Sequence, residues 1–507
     1  MTKQNSETKT TEHGPNGKGK TPPVDRAAID RDLAAEREQA TRQDAPADDG
    51  QATTDARLNQ ARRTDTGNAE CMAQLFGARY RFVGELGSWH TWTGAYWRAG
   101  RADIEVLQAA RDTARARQAA AWSLTDNDQR TKLITWGLHS ENANRIAATE
   151  KQARITDPFT SWIGQYDRHE ELIATTTQTV NLRSGIAHDP RPDDYLTKIA
   201  GCAYDPAATC PRWLQFLREV FSDDQELIAY IQRAVGYSLT GNTREQVFWL
   251  CYGQGANGKS VFLEVLARLA GDYHYSTSFS IFDAEARDRE ASITLVALRG
   301  KRLLSIIETD EDRRLAEARI KALTGQDAIE CRPMYGTPIV YTPQFKPWVA
   351  MNHKPVITGR DHALWRRLKL IPFLQTFEGA QADKHLRESL RDELSGILNW
   401  AIQGARDWYA HGLTDPAAIR NATAEYRQQS DLVGQWLEER TVNDADAEMH
   451  FGAAYKDFSN WANDRGFKRH PDAHIWARRL AEKGIETKRR GGQVRIPGYS
   501  LRGIEQP

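Results

Sequence analysis

Cysteine, surplus charge and long apolar runs are what this chain of 507 residues lacks, and each shortage excludes something. Five cysteines (Cys71, Cys202, Cys210, Cys251 and Cys331) are scattered and odd in number, which argues against a disulfide framework and for a reducing cytoplasm. Cys202 and Cys210 lie close together, but no second pair or histidine cluster stands beside them to complete a zinc site. Lys plus Arg and Asp plus Glu both total 68, so the formal net charge is zero, and contact with a polyanion must come from local basic patches. No run of roughly 18 apolar residues occurs, and the amino terminus lacks the apolar core of a signal peptide. A soluble, cytoplasmic chain with no membrane partner is expected. Residues 1–68 lack aromatic side chains and are dense in polar and charged ones. Such a composition buries too little apolar surface to offset its ordering entropy, so a disordered polar tail is expected, with a transient helix over residues 24–42.

Aromatics then arrive abruptly. In "LFGARYRFVGELGSWHTWTGAYWRAG", Tyr80, Phe82, Trp89, Trp92, Tyr96 and Trp97 sit among Gly and Ser punctuation, the pattern of a short β-meander whose rings serve core packing before base stacking. An Ala- and Arg-rich helical stretch follows over residues 102–150, and residues 69–205 read as one α+β domain. "CPRWLQFLREVFSDDQELIAYIQRAVGYSLTG" makes two amphipathic helices, a helical collar over residues 206–242. Residues 243–376 hold the motif treated next, and residues 377–430 a helical linker. Residues 431–507 read as three helices closed by the hairpin "IETKRRGGQVRIPGYSL", the pattern of a winged helix. Its tip carries Lys488, Arg489 and Arg490 beside Gly491-Gly492, a cationic end suited to DNA phosphates. The expected fold class is multidomain α/β.

"CYGQGANGKS", residues 251–260, satisfies the P-loop pattern. The apolar, β-favouring run "QVFWLCY" precedes it, and "SVFLEVLARLAG", with helical spacing, follows; strand, glycine loop and helix are the context the motif requires. Gly253, Gln254, Gly255, Ala256, Asn257, Gly258, Lys259 and Ser260 would wrap ATP phosphates with backbone N–H groups, aided by the positive end of the helix. Lys259 would reach the β- and γ-phosphates and the Ser260 hydroxyl would bind Mg²⁺.

A P-loop alone does not separate a kinase from a motor; what lies downstream does. "RLLSIIETD" is a short apolar strand ending in Glu308 and Asp310, where a carboxylate can hold Mg²⁺ and polarise the attacking water, Glu308 first and Asp310 in reserve. "FKPWVAMNHKP" is another strand, ending in Asn352, an amide placed to position that water or sense the γ-phosphate. "ALWRRLKLIPF" sets Arg366 and Arg367 just ahead of a further strand, and either one could stabilise the transferred phosphoryl group in a neighbouring subunit.

This ordered series, with "IIETDEDRRLAEARIKALTGQDAIECRPMYG" between its second and third members, resembles the superfamily 3 helicases of the AAA+ class, and within them the phage, plasmid and poxvirus-type primase–helicases. The likeness covers residues 71–501, more weakly upstream of the P-loop. It implies an AAA+ ATPase core with Lys259 on the phosphates, Ser260 on Mg²⁺, Glu308 as the acidic residue, Asn352 as sensor and Arg367 as the arginine finger. It also implies a hairpin gripping single-stranded DNA inside a hexameric ring. In this chain that hairpin falls within "AIECRPMYGTPIVYTP", with Arg332 and Tyr335 as DNA contacts and Lys321 as a weaker one; a cation suits phosphate and an aromatic suits base stacking.

Two features depart from the family. The segment before Cys71 carries neither a strand-borne carboxylate cluster nor a zinc ribbon, so primase activity is not expected here and a separate primase or origin-binding protein is the expected partner. The acidic motif reads Glu-Thr-Asp rather than two adjacent acids, which leaves the division between Glu308 and Asp310 open. The expected activity is ATP- and Mg²⁺-dependent unwinding of duplex DNA by a ring during phage, prophage or plasmid replication in a bacterial cell. The alternatives are a DNA-binding protein whose ATPase only switches its assembly, and a kinase built on the same loop. The sensor and arginine series count against the kinase.

Overall fold

The computed structural model describes residues 48–100, 102–282, 294–308, 315–332, 338–355, 357, 362–379, 382–467 and 470–502. The tail expected to reach residue 68 ends sooner. Helices α1 (Asp48–Gln60) and α2 (Asp65–Phe76) open the described chain. Leu58, 2% exposed, packs with Cys71 and Ala120. The Thr64 hydroxyl caps α2 by accepting from Gly67 N, and the buried Arg117 guanidinium donates to the carbonyls of Ala61 and Arg62 and to Asn68 Oδ1. One leucine in a polar segment becomes structural because distant residues complete its pocket. The transient helix expected over residues 24–42 lies outside the described residues.

The meander forms as β1 (Tyr80–Val83), β2 (Ser88–Trp92) and β3 (Trp97–Ala99). The helical stretch expected over residues 102–150 is three helices, α3 (Asp103–Ala120), α4 (Asn127–Ser140) and α5 (Ala143–Ala153). The breaks fall at Asp126 and Asn142, whose side chains cap the helices that follow. Strand β4 (Thr160–Ser161) completes a sheet of order β3-β2-β1-β4. Tyr80, Trp89 and Trp97 are buried, so these rings pack the core. Strands β5 (Leu172–Ala174), β6 (Thr179–Asn181) and β7 (Ala187–His188) form a small antiparallel sheet ahead of the core.

Helices α6 (Pro211–Val220) and α7 (Gln225–Leu239) lead into β8 (Phe248–Tyr252) and α8 (Lys259–Ala270). After β9 (His274–Thr277) and β10 (Leu303–Glu308) come α9 (Glu317–Thr324) and the paired β11 (Ile329–Cys331) and β12 (Ile339–Tyr341). Then follow β13 (Lys346–Met351), α10 (His362–Trp365) and β14 (Leu368–Pro372). Strands 8, 9, 10, 13 and 14 form one parallel sheet of order β14-β8-β13-β10-β9. Its central strands are apolar on both faces because both faces are covered, as parallel sheets require.

Helices α11 (Leu386–Asp392), α12 (Leu394–His411) and α13 (Ala417–Ser430) follow. The expected collar and linker turn out to be one layer. Trp213, Tyr230 and Val235 before the P-loop share a core with Ile397, Ala401 and Trp408 after it, and with Trp249 and Phe262 of the sheet and its helix. At the crossing of α7 and α12 a Cβ on Gly236 would stand 2.1 Å from Ala405 N, and one on Gly404 would stand 2.0 Å from the Gln232 carbonyl oxygen, so the backbones touch.

The last unit comprises α14 (Leu432–Arg440), β15 (Thr441–His450), α15 (Phe451–Asp464), α16 (Ala473–Glu482), β16 (Lys488–Arg490) and β17 (Gln493–Leu501). The three helices and the hairpin match expectation; β15 does not. "TVNDADAEMH" is too polar to read as a strand, and it is held by β17, with the register broken between Asn443 and Glu448.

Candidate functional site: a P-loop on the carboxyl edge of a parallel sheet

The glycine loop leaves β8 at Gly253 and enters α8 at Lys259. Gly255 and Gly258 hold φ of 107° and 85°, conformations that side chains rarely adopt, and Ala256 is forced to 43° between them. Asn257 is buried and donates Nδ2 to the Phe373 carbonyl at 3.2 Å, while Phe377 N donates to the Ala256 carbonyl at 2.7 Å. The loop is thus held from outside by the chain just beyond β14. Lys259, 5% exposed, donates Nζ to the Gly253 carbonyl at 2.5 Å and to Asn257 Oδ1 at 3.1 Å. Burial lowers its pKa below the ordinary lysine value, with Cys251 acting in the opposite direction. Its ammonium sits on the loop's own oxygens, where a phosphate would supply a stronger partner. Ser260 is exposed at the first turn of α8, beside Gln254 and Ala256, which are exposed as well.

Strand register brings the distant motifs to this loop. Pro372 pairs with Tyr252, Tyr252 with Met351, and Met351 with Glu308, so four strands end in one row. The P-loop follows Tyr252, Asn352 follows Met351 and is exposed, and Glu308 closes β10. All three lie on the carboxyl edge, where ligands of open α/β sheets bind. Ile307 is 57% exposed although it belongs to an interior strand, so solvent reaches this edge. Asp310 lies outside the described residues. Among the described residues no group of three or more His, Cys, Asp or Glu side chains could hold a metal ion.

The arginines lie at the opposite edge. They precede β14, and Phe248 N at the start of β8 donates to the Arg367 carbonyl at 2.9 Å. Arg367 is turned inward. It is 7% exposed and donates Nε to Thr324 Oγ1 at 3.2 Å, Nη1 to the Ala363 carbonyl at 2.8 Å and Nη2 to Gln246 Oε1 at 2.9 Å. Three internal acceptors thus hold the guanidinium of Arg367, the residue expected to act as the finger. Arg366 is exposed and touches Gln246 Oε1 at 3.3 Å. It lines a cleft of about 1050 Å³ with Lys369, Asp415, Arg420 and Arg427. Sequence reasoning missed Gln246 and Thr324; neither sits in a motif, and only the meeting of three strand and helix ends makes them neighbours.

The hairpin expected within residues 328–343 is present as β11 and β12. Arg332 is exposed directly after β11, Val340 is exposed on β12, and Lys321 is half-buried on α9; Tyr335 lies outside the described residues. In the last unit Lys488, Arg489 and Arg490 are all exposed on β16, with Arg490 paired to Glu448 at 3.0 Å. All five cysteines are free. Among the described residues no helix is long and apolar enough to cross a membrane.

Residues 69–222 match the family described as D5 N terminal like, and residues 251–367 match a family of unknown function, DUF5906. A protein of Acanthamoeba polyphaga mimivirus whose name proposes a helicase is 28% identical over 299 residues, covering 55% of this chain and 31% of that protein. A similarly named protein of Invertebrate iridescent virus 6 is 25% identical, covering 58% of this chain and 34% of its own length. A protein of African swine fever virus whose name proposes a primase is 20% identical, with 53% and 30% covered. The chain spans about a third of the length of these relatives. Among solved structures, the apo NrS-1 C terminal region matches at 11% identity with a TM-score of 0.45, covering 84% of this chain and 98% of that one. The D5-type segment, the glycine-loop segment that follows it and the viral relatives spanning half of the chain point the same way: over these residues the chain is similar to D5-like primase–helicases.

Proposed function

We propose that this protein is an ATP-dependent DNA helicase of superfamily 3, an AAA+ motor that works as a ring during replication. The observation that carries the reading is the split of the motifs between the two edges of one sheet. P-loop, Glu308 and Asn352 share the carboxyl edge, whereas Arg366 and Arg367 sit at the amino edge. Strands β8 and β14 have 5 residues each, which separates the edges by about 15 Å at roughly 3.3 Å per residue. An arginine so placed serves a phosphate on a second copy of the chain, and repetition of that contact closes a ring.

In this reading Lys259 leaves the Gly253 carbonyl for the β- and γ-phosphates of ATP, and the loop N–H groups with the start of α8 neutralise the remaining charge. Ser260 helps to hold Mg²⁺, with Glu308 and Asp310 as the acidic side of the site. Glu308 polarises the attacking water and Asn352 senses the γ-phosphate. The β11–β12 hairpin carries Arg332 and Tyr335 toward single-stranded DNA in the channel, with Lys321 of α9 as a weaker contact. The last unit acts as a winged helix whose Lys488, Arg489 and Arg490 meet duplex phosphates. Supporting this are the likeness of residues 69–222 to the D5 N terminal like family, the viral relatives with helicase names and the exposure of that wing.

Strand displacement on a forked duplex with ATP and Mg²⁺ tests the proposal, with Lys259→Ala as the control. Unwinding by the wild type and none by the variant is the expected result. Hydrolysis without unwinding, in a preparation that forms rings on DNA, would replace the helicase with an ATP-switched assembly protein.

A further inference from the structure

Three elements meet at one side chain on the amino edge of the sheet. Gln246, just ahead of β8, holds φ of 53°, in the left-handed region where a non-glycine residue is strained. Its amide oxygen accepts from Arg367 at 2.9 Å and from Arg366 at 3.3 Å. Arg367 also donates to Thr324 Oγ1 at 3.2 Å. Thr324 is the last residue of α9 and 2% exposed, and residues 325–328 run from it into the β11–β12 hairpin. Ile320 and Leu323 of α9 share a core with Leu364 and Trp365 of α10, the helix that immediately precedes the arginines. The start of the P-loop strand, the arginine pair and the root of the hairpin form one junction.

The two arginines differ in what it takes to move them. Withdrawing Arg367 would break three hydrogen bonds, a buried one to Thr324 and part-buried ones to Ala363 and Gln246, which is unfavourable. Arg366 is exposed, keeps one long hydrogen bond, and faces the cleft it shares with Arg420 and Arg427 on α13. Lys369 in the same cleft is neutralised by Asp415 at 2.5 Å, and Asp431 on its wall is engaged by Lys483 at 2.6 Å.

We propose that the pair divides its work: Arg366 reaches the nucleotide phosphate on a second copy of the chain, and Arg367 is a positioning residue that ties that contact, through Gln246 and Thr324, to the DNA hairpin. The inference rests on the ring reading above. When Arg366 leaves Gln246 for a phosphate, Gln246 keeps Arg367 alone, and the shift passes to α9 through the Thr324 hydroxyl and the core that α9 and α10 share. Hydrolysis at one interface then moves the hairpin of the subunit that supplied the arginine.

Steady-state ATP hydrolysis with and without single-stranded DNA, together with strand displacement, separates the two roles. Arg366→Ala is expected to lower turnover by about a hundredfold or more under both conditions. Thr324→Val keeps the shape and removes the oxygen that accepts from Arg367. It is expected to hold DNA-free turnover within about threefold while losing both DNA stimulation and unwinding, and Thr324→Ser to restore both. Gln246→Gly relieves the strained φ and deletes the shared amide, so it gives the same uncoupling without depending on how Thr324→Val folds. DNA stimulation at the wild-type level in Thr324→Val and Gln246→Gly would overturn the coupling. Wild-type turnover in Arg366→Ala, with loss in Arg367→Lys, would reverse the assignment. A wild type that hydrolyses ATP as a monomer, with Arg366→Ala equally active, would instead remove the ring reading and this inference with it.

Discussion

At the scale of single residues, Lys259 is the proposed phosphate-binding group. Its ammonium is buried on Gly253 and Asn257 oxygens of its own loop, so the pocket is already shaped for a cation bridging oxygens. We expect Lys259→Ala to lower ATP turnover by about a hundredfold or more, checked by phosphate release, while the loop keeps its anchors to Phe373 and Phe377. Two histidines report on pH instead. His90 lies buried against the Tyr166 ring, and burial, Arg299 and Lys198 push its pKa from 6.5 to about 4. Burial and Lys301 push His274, bonded to Ser305 Oγ, to about 4 as well. The unfolded chain therefore binds more protons than the folded one between about 4 and 6.5. Stability is full above that window and falls as pH drops through it, by roughly 1.4 kcal/mol per pH unit for each ring near the middle of the window. Urea midpoints at neutral pH and at about pH 5 should show this loss, and His90→Phe should remove its share.

At the scale of elements, close backbone approach decides more than side-chain size. Because α7 and α12 touch at Gly236 and Gly404, Gly236→Ala is expected to cost about 1–3 kcal/mol or more, read as a lowered denaturation midpoint. A helix propensity scale alone would call that change stabilising. The β16–β17 hairpin behaves in the opposite way. Lys488, Arg489 and Arg490 are exposed, so replacing all three with Ala should leave stability within about 0.5 kcal/mol per site. It should reduce duplex affinity and lower the slope of log affinity against log salt by about 0.9 for each phosphate that the variant no longer neutralises. An unchanged slope would take the wing out of DNA binding.

At the scale of the whole molecule, an active site split between two copies has a simple signature. Lys259→Ala subunits still offer Arg366, and Arg366→Ala subunits still offer a P-loop, so mixing the two inactive proteins should restore part of the hydrolysis. Two separate defects in a self-sufficient monomer would stay dead on mixing. The balance of 68 basic and 68 acidic residues adds a second expectation. Single subunits have no net charge to draw them to DNA and rely on local basic patches, so binding should rise steeply with ATP-driven assembly and weaken with salt. Sedimentation with and without ATP, run beside DNA binding, measures both.

The sequence by itself determined whatever depends on neighbours along the chain. The P-loop needs its glycines, lysine and serine at fixed spacing between a strand and a helix, and that pattern is local. So are the apolar strands leading to Glu308 and Asn352 and the cationic tip at Lys488, whereas the hairpin after α9 is expected only from the resemblance to superfamily 3 helicases. Tertiary structure decided what depends on distant partners. Leu58 is structural only because Cys71 and Ala120 close over it, and β15 is a strand only because β17 pairs with it. The collar and the linker are one layer because Gly236 and Gly404 let two helices meet. Above all, Arg366 and Arg367 are adjacent in sequence and chemically alike. Only the burial of one on Gln246, Thr324 and Ala363 tells them apart, because a guanidinium can serve a neighbour's phosphate only where its own chain has not already taken its hydrogen bonds.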